Sequence, residues 1–191
     1  MFVRCSSVFI AAHRSVTEQD VRHAACAVMA MRASRTDRKE GSEMKVAALM
    51  TKDVFTCRTI DTLDRAAELM CEHDVGSLPV VDDNGHVVGM ITDRDICMAT
   101  YRQDAPPRAI SVEQTMSTHP TTCAPADEVA TAEETMRRRQ IHRVPVVDDA
   151  GHPVGILSLN DLARAANQGG GVSSNEVADT LAAVCAERPL V

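Results

Sequence analysis

Aromatic side chains are almost missing from this chain, which has no Trp, one Tyr and three Phe among its 191 residues. A ligand is therefore expected to meet aliphatic walls, backbone groups and charged side chains rather than stacked rings. No apolar run approaches the roughly 18 residues that a membrane span requires, so no membrane partner is predicted. The net charge of −7 argues against nucleic acid as a partner, because phosphate backbones attract basic surfaces.

The patterns of disulfide-rich, metal-binding and catalytic proteins are missing as well. The chain has seven Cys, an odd number with no CxxC pair, so neither a disulfide framework nor a zinc knuckle is indicated. Free thiols in a reducing cytoplasm are the simpler expectation. Because there is no nucleophile–base motif and no metal-ligand spacing, the sequence predicts no enzyme, no metal and no required cofactor.

What the chain does contain is a long internal repeat. The stretch "GSLPVVDDNGHVVGMITDRD" (76–95) returns as "HRVPVVDDAGHPVGILSLND" (142–161). When residues 50–96 are paired with 116–162 at a constant offset of 66, 17 of the 47 pairs are identical. The chain therefore carries a duplicated unit, and self-similarity of this kind sets the architecture.

Each copy has the pattern of the same five elements. A short extended piece precedes a helix with apolar residues at helical spacing, as in "TLDRAAELMCEHD", which Asp61 or Thr62 can cap. Two β-branched runs then flank Asp-Asn-Gly, a typical hairpin signal, and a second helix follows. The prediction is an α+β fold of two tandem β-α-β-β-α units that share a core, because one unit alone is too small to bury its sheet.

The run "LMTKDVFTC…LPVVDDNGHVVGMITDRDI" resembles a CBS domain, and two such copies resemble a CBS pair, or Bateman module. The resemblance covers residues 44–166, with repeat 1 at 44–104 and repeat 2 at 110–166. It implies that the repeats pack around a pseudo-twofold axis and leave two symmetry-related clefts between them.

A hydroxyl side chain and a carboxylate recur where the last strand of each copy meets its second helix. These residues are Thr92 and Asp95 in the first copy, and Ser158 and Asp161 in the second. One interpretation is structural, because Ser/Thr-x-x-Asp is close to a capping box and stabilises a helix without any ligand. The other follows from the resemblance, which implies that these positions hold the ribose of an adenosine nucleotide.

The two copies differ at the start of the hairpin. Repeat 2 has His142 and Arg143 where repeat 1 has Gly76 and Ser77. A guanidinium group pairs well with phosphate, and "IHRVPV" resembles the AMP-activated kinase gamma subunit, which implies a phosphate contact for this pair. We expect a cleft that contains His142, Arg143, Ser158 and Asp161 to bind nucleotide more tightly than its twin.

The resemblance also implies a pocket for the base, built from the first extended piece and the first helix of each copy. Its candidate residues are Val54, Cys57, Asp61, Ala66, Cys123, Asp127 and Ala132. Cys57 and Cys123 occupy equivalent positions, so they are either small apolar wall residues or a thiol pair that responds to redox conditions.

The flanking segments differ from the repeats. Residues 1–43 contain seven Lys or Arg and five Asp or Glu, and they are expected to form a disordered or loosely helical extension, with Met44 an alternative natural start. Residues 167–191 combine a Gly-rich hinge with a C-terminal amphipathic helix, in which Val177, Leu181 and Val184 have helical spacing.

Together these features favour a stand-alone regulatory module that senses AMP, ADP or ATP as a homodimer and signals to an unknown effector protein. The homodimer is implied by the resemblance. The alternative is a CBS pair with empty clefts that acts in dimerisation or protein interaction.

Overall fold

A computed structural model describes residues 44–169 and 171–187. The expectation for residues 1–43 lies outside these residues. The helices and strands in chain order are α1 (Val46–Leu49), β1 (Cys57–Arg58), α2 (Leu63–Glu72), β2 (Ser77–Val81), β3 (Val87–Thr92), α3 (Asp93–Gln103), β4 (Ser117–Thr118), α4 (Val129–Arg139), β5 (Arg143–Val147), β6 (Pro153–Ser158), α5 (Leu159–Asn167) and α6 (Ser174–Val184). A short 3-10 helix spans Pro107–Ala109.

The strands form two small sheets with the same plan. In the first, β1 lies parallel to β2, and β2–β3–β4 are antiparallel. In the second, β5 and β6 form the antiparallel pair. Two isolated bridges extend this pair: Cys123 lies parallel to Val146, and Thr51 lies antiparallel to Ile156. The predicted α+β class with two tandem repeats is confirmed.

The repeats exchange their leading segments. Thr51, which precedes the first sheet, pairs with β6 of repeat 2, while β4, which follows repeat 1, pairs with β3 of repeat 1. The cores follow the same exchange, because Val46 is buried with repeat 2 and Val112 is buried with repeat 1. Each repeat is therefore completed by a segment that the sequence pattern assigns to the other.

Helix boundaries follow from local capping and apolar spacing. The Thr62 hydroxyl accepts the Arg65 N–H and begins α2, whose residues Leu63, Ala66 and Met70 are buried. α3 and α5 begin with capping boxes. No side-chain cap from Glu128 begins α4. α2 thus starts at Leu63, one residue inside the segment 62–74 for which the sequence predicts a helix.

Each hairpin turn is fixed by an aspartate. The Oδ1 atom of Asp82 accepts the N–H groups of Asn84 (2.9 Å) and His86 (2.8 Å), and Gly85 has a φ of 83° that suits glycine. These bonds lower the pKa of the Asp82 carboxyl, the His86 N–H making the largest contribution. The two hairpins touch each other, since the rings of His86 and His152 stack with centroids 5.2 Å apart.

Candidate ligand-binding clefts

Two clefts lie between the repeats and are counterparts at the offset of 66. Cleft 1, of about 280 Å³, is lined by Val54 and Phe55 from repeat 1 and by Ser158 and Asp161 from repeat 2. Cleft 2, of about 770 Å³, is lined by Thr92 and Asp95 from repeat 1 and by residues of repeat 2 that include Thr121, Ile141 and His142. Arg143 lines both clefts.

In cleft 1 the carboxylate of Asp161 is fully engaged within the chain. Its Oδ2 atom accepts the N–H (2.8 Å) and the hydroxyl (2.5 Å) of Ser158, which closes the capping box of α5. Its Oδ1 atom accepts bonds from the Thr51 hydroxyl (3.2 Å) and from the Arg164 guanidinium. Asp161 is only 5% exposed. A ligand would have to displace these donors in order to use this carboxylate.

In cleft 2 the equivalent carboxylate keeps one oxygen available. The Oδ2 atom of Asp95 accepts the N–H (2.9 Å) and the hydroxyl (2.7 Å) of Thr92. Its Oδ1 atom has no hydrogen-bond donor among residues 44–169 and 171–187. The reason lies in two replacements: Met98 stands where repeat 2 has Arg164, and Ser117, which stands where Thr51 does, donates to the Met90 carbonyl (3.1 Å) instead.

The charges that face the two clefts differ in balance. Cleft 1 is lined by three carboxylates and two guanidinium groups, whereas cleft 2 is lined by two carboxylates and three guanidinium groups. In cleft 2, Arg139, Arg143 and the imidazole of His142 form no ion pair with any residue that the structure describes. An anion therefore meets a more favourable potential in cleft 2 than in cleft 1.

Gly76 and Arg143 lie next to each other and line both clefts. A Cβ atom at Gly76 would lie 3.6 Å from the Nη1 atom of Arg143 and 3.5 Å from the Oδ2 atom of Asp93. Arg143 is half-buried beside this position. The guanidinium from repeat 2 therefore lies against the backbone of repeat 1 at a position that lines both clefts.

The structure divides the four residues that the sequence places in one cleft. His142 lies in cleft 2 with Thr92 and Asp95, whereas Ser158 and Asp161 lie in cleft 1. The physical reason is that each cleft takes the start of a hairpin from one repeat and the capping box from the other. A grouping by repeat therefore separates residues that the fold joins, and Arg143 alone of the four lines both clefts.

Of the residues predicted for the base pocket, Val54 lines cleft 1, and the other six line neither cleft. Three of the six are buried in the cores: Cys57, Ala66 and Ala132. Two others hold turns, since the Asp61 carboxylate accepts the Arg58 N–H (2.7 Å) and the Asp127 carboxylate accepts the Ala124 N–H (2.8 Å). The sixth is Cys123, which is half-buried and packs against the core of repeat 2.

Both candidate thiols are held protonated at neutral pH. Burial, followed by the nearby Asp61 carboxylate, raises the pKa of Cys57 to about 12. Burial, followed by Asp127, raises the pKa of Cys123 to about 11. Because the thiolate is the reactive form, these cysteines act as small apolar groups of the fold.

Phe55, which belongs to the extended piece predicted to line the base pocket, lines cleft 1 and stacks on His73, with ring centroids 3.5 Å apart and planes within 4°. Two further residues that matter to cleft 1 were not predicted from the sequence. Thr51 and Arg164 bind Asp161. The signal for Arg164 was available, because it lies one helical turn after Asp161 and repeat 1 has Met98 at the equivalent position.

A family model described as "CBS domain" matches residues 46–101 and 111–168. The chain therefore belongs to the CBS-domain family and carries two CBS domains in tandem. It is 40% identical over 114 residues to the CBS domain-containing protein YhcV of Bacillus subtilis (strain 168), across 60% of this chain and 79% of that protein. Proteins of this family are typically regulatory rather than catalytic.

Two similar solved structures contain adenosine compounds. The CBS domain pair of protein MJ0100, in complex with 5′-methylthioadenosine and S-adenosyl-L-methionine, is 27% identical with a TM-score of 0.61, over 67% of this chain and 99% of that one. CBSX2 in complex with AMP is 27% identical with a TM-score of 0.56, over 65% of this chain and 96% of that one.

In the part of the chain that the structure describes, no helix is long and apolar enough to cross a membrane. Within the same residues, no group of three or more His, Cys, Asp or Glu side chains is arranged to hold a metal ion.

Proposed function

We propose that this CBS pair is a regulatory module that binds an adenosine nucleotide, AMP, ADP or ATP, in cleft 2. One observation carries the proposal: cleft 2 combines the available Oδ1 atom of Asp95 with the side chains of Arg139, His142 and Arg143. The binding of AMP by CBSX2, and of methylthioadenosine and S-adenosylmethionine by MJ0100, supports the adenosine part of the ligand.

The ribose is assigned to Asp95. A carboxylate oxygen that is held in place by a capping box accepts hydrogen bonds from vicinal hydroxyl groups without losing its own helix cap. Thr92 already binds the Oδ2 atom, so the Oδ1 atom is the one that faces a ligand. The start of α3 adds the positive end of a helix dipole to the same place.

The phosphate is assigned to the cationic wall of cleft 2. Arg143 offers a planar fork of donors that matches phosphate oxygens, and His142 and Arg139 lie in the same wall. The volumes support the choice of cleft, because ligand pockets commonly span roughly 300–1,000 Å³. Cleft 2, at about 770 Å³, falls within this range, whereas cleft 1, at about 280 Å³, falls just below it.

Cleft 1 favours the alternative of a module with empty sites. Its carboxylate is already saturated by Ser158, Thr51 and Arg164, and its charge balance is the more acidic of the two. If cleft 2 were empty as well, the module would serve protein interaction alone.

The test is a calorimetric titration of the full chain with AMP and with adenosine. We expect Asp95→Asn to weaken both ligands about tenfold or more, because one charge-assisted hydrogen bond contributes roughly 1.5–3 kcal/mol. Arg143→Met should weaken AMP and leave adenosine nearly unchanged, since adenosine has no phosphate. Arg138→Met is the matched control, because Arg138 is exposed and lines neither cleft. Wild-type protein that gives no heat with millimolar AMP, ADP or ATP would overturn the proposal.

We assign the module a homodimeric state and a cytoplasmic location. The support for a dimer is apolar surface on repeat 1, where Ile60 is 64% exposed and Tyr101 is 81% exposed. The support for a reducing compartment is that the five cysteines of the described residues are all free thiols. Sedimentation at micromolar concentration tests the dimer, and a species at the chain mass of 20.6 kDa would contradict it.

A further inference from the structure

The C-terminal helix α6 covers one face of repeat 2. It packs against α4 and α5, and it buries Thr180 completely and Val184 to 6% exposure. Val177 packs against the core of repeat 2. The Arg137 guanidinium donates to the Thr180 hydroxyl at 3.3 Å. The outer surface of the two helices of repeat 2 is therefore closed by a helix that lies outside both repeats.

The same face of repeat 1 is open. Ala67 and Cys71 stand where repeat 2 has Glu133 and Arg137, and Cys71 is exposed. Tyr101, near the end of α3, is 81% exposed. Among residues 44–169 and 171–187, no helix equivalent to α6 covers repeat 1, so α6 is an element added to repeat 2.

The end of α6 is also part of cleft 2. Val184 lines the cleft. The Nε2 atom of Gln140 donates to the carbonyls of Ala183 (3.3 Å) and Ala186 (2.9 Å) and so holds the C-terminus of the helix. Gln140 lines the same cleft two residues before His142. The wall of cleft 2 thus includes Val184 only while α6 is docked.

The contact between α6 and the helices beneath it contains a buried polar atom without a hydrogen-bond partner, which favours reversible release of α6. Glu133 is 5% exposed, and its Oε1 atom has no hydrogen-bond partner. Such a buried, unpaired oxygen weakens the contact that covers it. The connection between α5 and α6 contains Gly169 and Gly171, both with positive φ. Glycine adopts such conformations without steric cost, so this connection can act as a hinge for α6.

We propose that α6 is a ligand-controlled cover: nucleotide in cleft 2 holds it on α4 and α5, and loss of nucleotide releases it. This inference rests on the proposed function of cleft 2. A ligand shifts an equilibrium only toward the state that it binds better, and the docked state alone offers Val184. Release then exposes a helix-binding face on α4 and α5, which a partner with an amphipathic helix like α6 can occupy.

The experiment compares hydrogen exchange and AMP affinity in the full chain. AMP should slow exchange of residues 174–186 in the wild type about tenfold, within the usual range of coupling between sites. Val177→Asp should release α6, give fast exchange with or without AMP, and weaken AMP binding about fivefold or more. Ala178→Asp is the matched control, because it adds the same charge at the neighbouring exposed position and should behave as wild type.

The outcomes separate the two proposals. Absence of binding of AMP, ADP and ATP to the wild type overturns the proposed function and, with it, nucleotide control of α6; if ADP or ATP binds and AMP does not, the exchange comparison uses that nucleotide. AMP binding without any change in the exchange of residues 174–186 overturns the role of α6 alone. The wild-type comparison needs no variant, so it decides the question even if Val177→Asp does not fold.

Discussion

Asp161 and Asp95 begin equivalent helices with the same capping box, yet they offer different chemistry to a ligand. Asp161 also binds Thr51 and Arg164, which leaves it saturated. Asp95 binds Thr92 alone, and Met98 provides no charge beside it. The difference shows that the helix cap is common to both repeats, while availability to a ligand depends on two side chains outside the cap, Thr51 and Arg164.

The repeats also differ in the chain segments that complete their sheets and cores. Repeat 1 gains its fourth strand and part of its core from the chain that follows it, whereas repeat 2 gains the equivalent parts from the first residues of repeat 1. Among the residues that the structure describes, a covering helix lies on repeat 2 and none lies on repeat 1. A substitution in one repeat can therefore be compared with the equivalent position in the other repeat.

The largest effect is expected where repeat 1 depends on the connection after it. Ile110 is 1% exposed in the core of repeat 1. Ile110→Ala should lower the free energy of unfolding by about 2–5 kcal/mol, because it removes buried methyl groups and leaves a cavity. Urea denaturation provides the measurement, with exposed Arg108→Ala as the control. A loss below about 0.5 kcal/mol, the level of a surface substitution, would contradict the exchange of segments.

The next effect separates the two capping aspartates. Asp161→Ala removes a buried carboxylate with partners on both oxygens, so it should cost about 2–3 kcal/mol of unfolding free energy. Asp95→Ala removes a helix cap and should cost about 1 kcal/mol. Thermal and urea unfolding without nucleotide measure both variants. Equal losses would indicate that Thr51 and Arg164 contribute nothing to the stability of cleft 1.

The duplication and the local patterns predicted much of the fold. Offset identities gave the two repeats, and the Asp-Asn-Gly turn and the hydroxyl–carboxylate spacing gave the hairpins and the starts of α3 and α5. These features depend on contacts within a few residues, which a single sequence contains. The exchange of leading segments depends on pairing over more than 100 residues, as between Thr51 and Ile156. Local periodicity does not carry that information.

The composition of the clefts was harder to predict for the same reason. The residue types of the candidate sites could be read from the repeats, but each cleft joins halves of both, so His142 meets Asp95 rather than Asp161. Small residues such as Cys57 and Ala66 point into the core instead of a pocket. Their inward direction depends on how the sheet packs on the helices, which apolar spacing alone leaves undetermined.

A smaller effect is expected from two equivalent glycines. A Cβ atom at Gly89 would approach the Met116 sulfur to 2.5 Å and the Ser117 carbonyl oxygen to 3.0 Å, whereas at Gly155 its three nearest neighbours would all be side-chain atoms of Met50. Gly89→Ala should therefore cost about 1–3 kcal/mol through overpacking, and Gly155→Ala should cost less because a flexible side chain can move. Comparison of urea midpoints tests this order, and a larger loss at Gly155 would contradict it.

The smallest effect concerns pH and the contact beneath α6. Burial, followed by the nearby charge of Glu176, raises the pKa of Glu133 above its usual value of 4.5, while Arg137 opposes the shift. Since the folded protein disfavours the ionised form, the stability that neutral Glu133 contributes is fully present below pH 4.5 and is lost as pH rises through the raised pKa. Glu133→Gln cannot ionise, so its melting temperature should exceed that of the wild type by about 2–4 °C at neutral pH and match it below pH 4.5. Exposed Glu134→Gln on the same helix is the control, and a difference that stays constant with pH would assign the effect to packing rather than to charge.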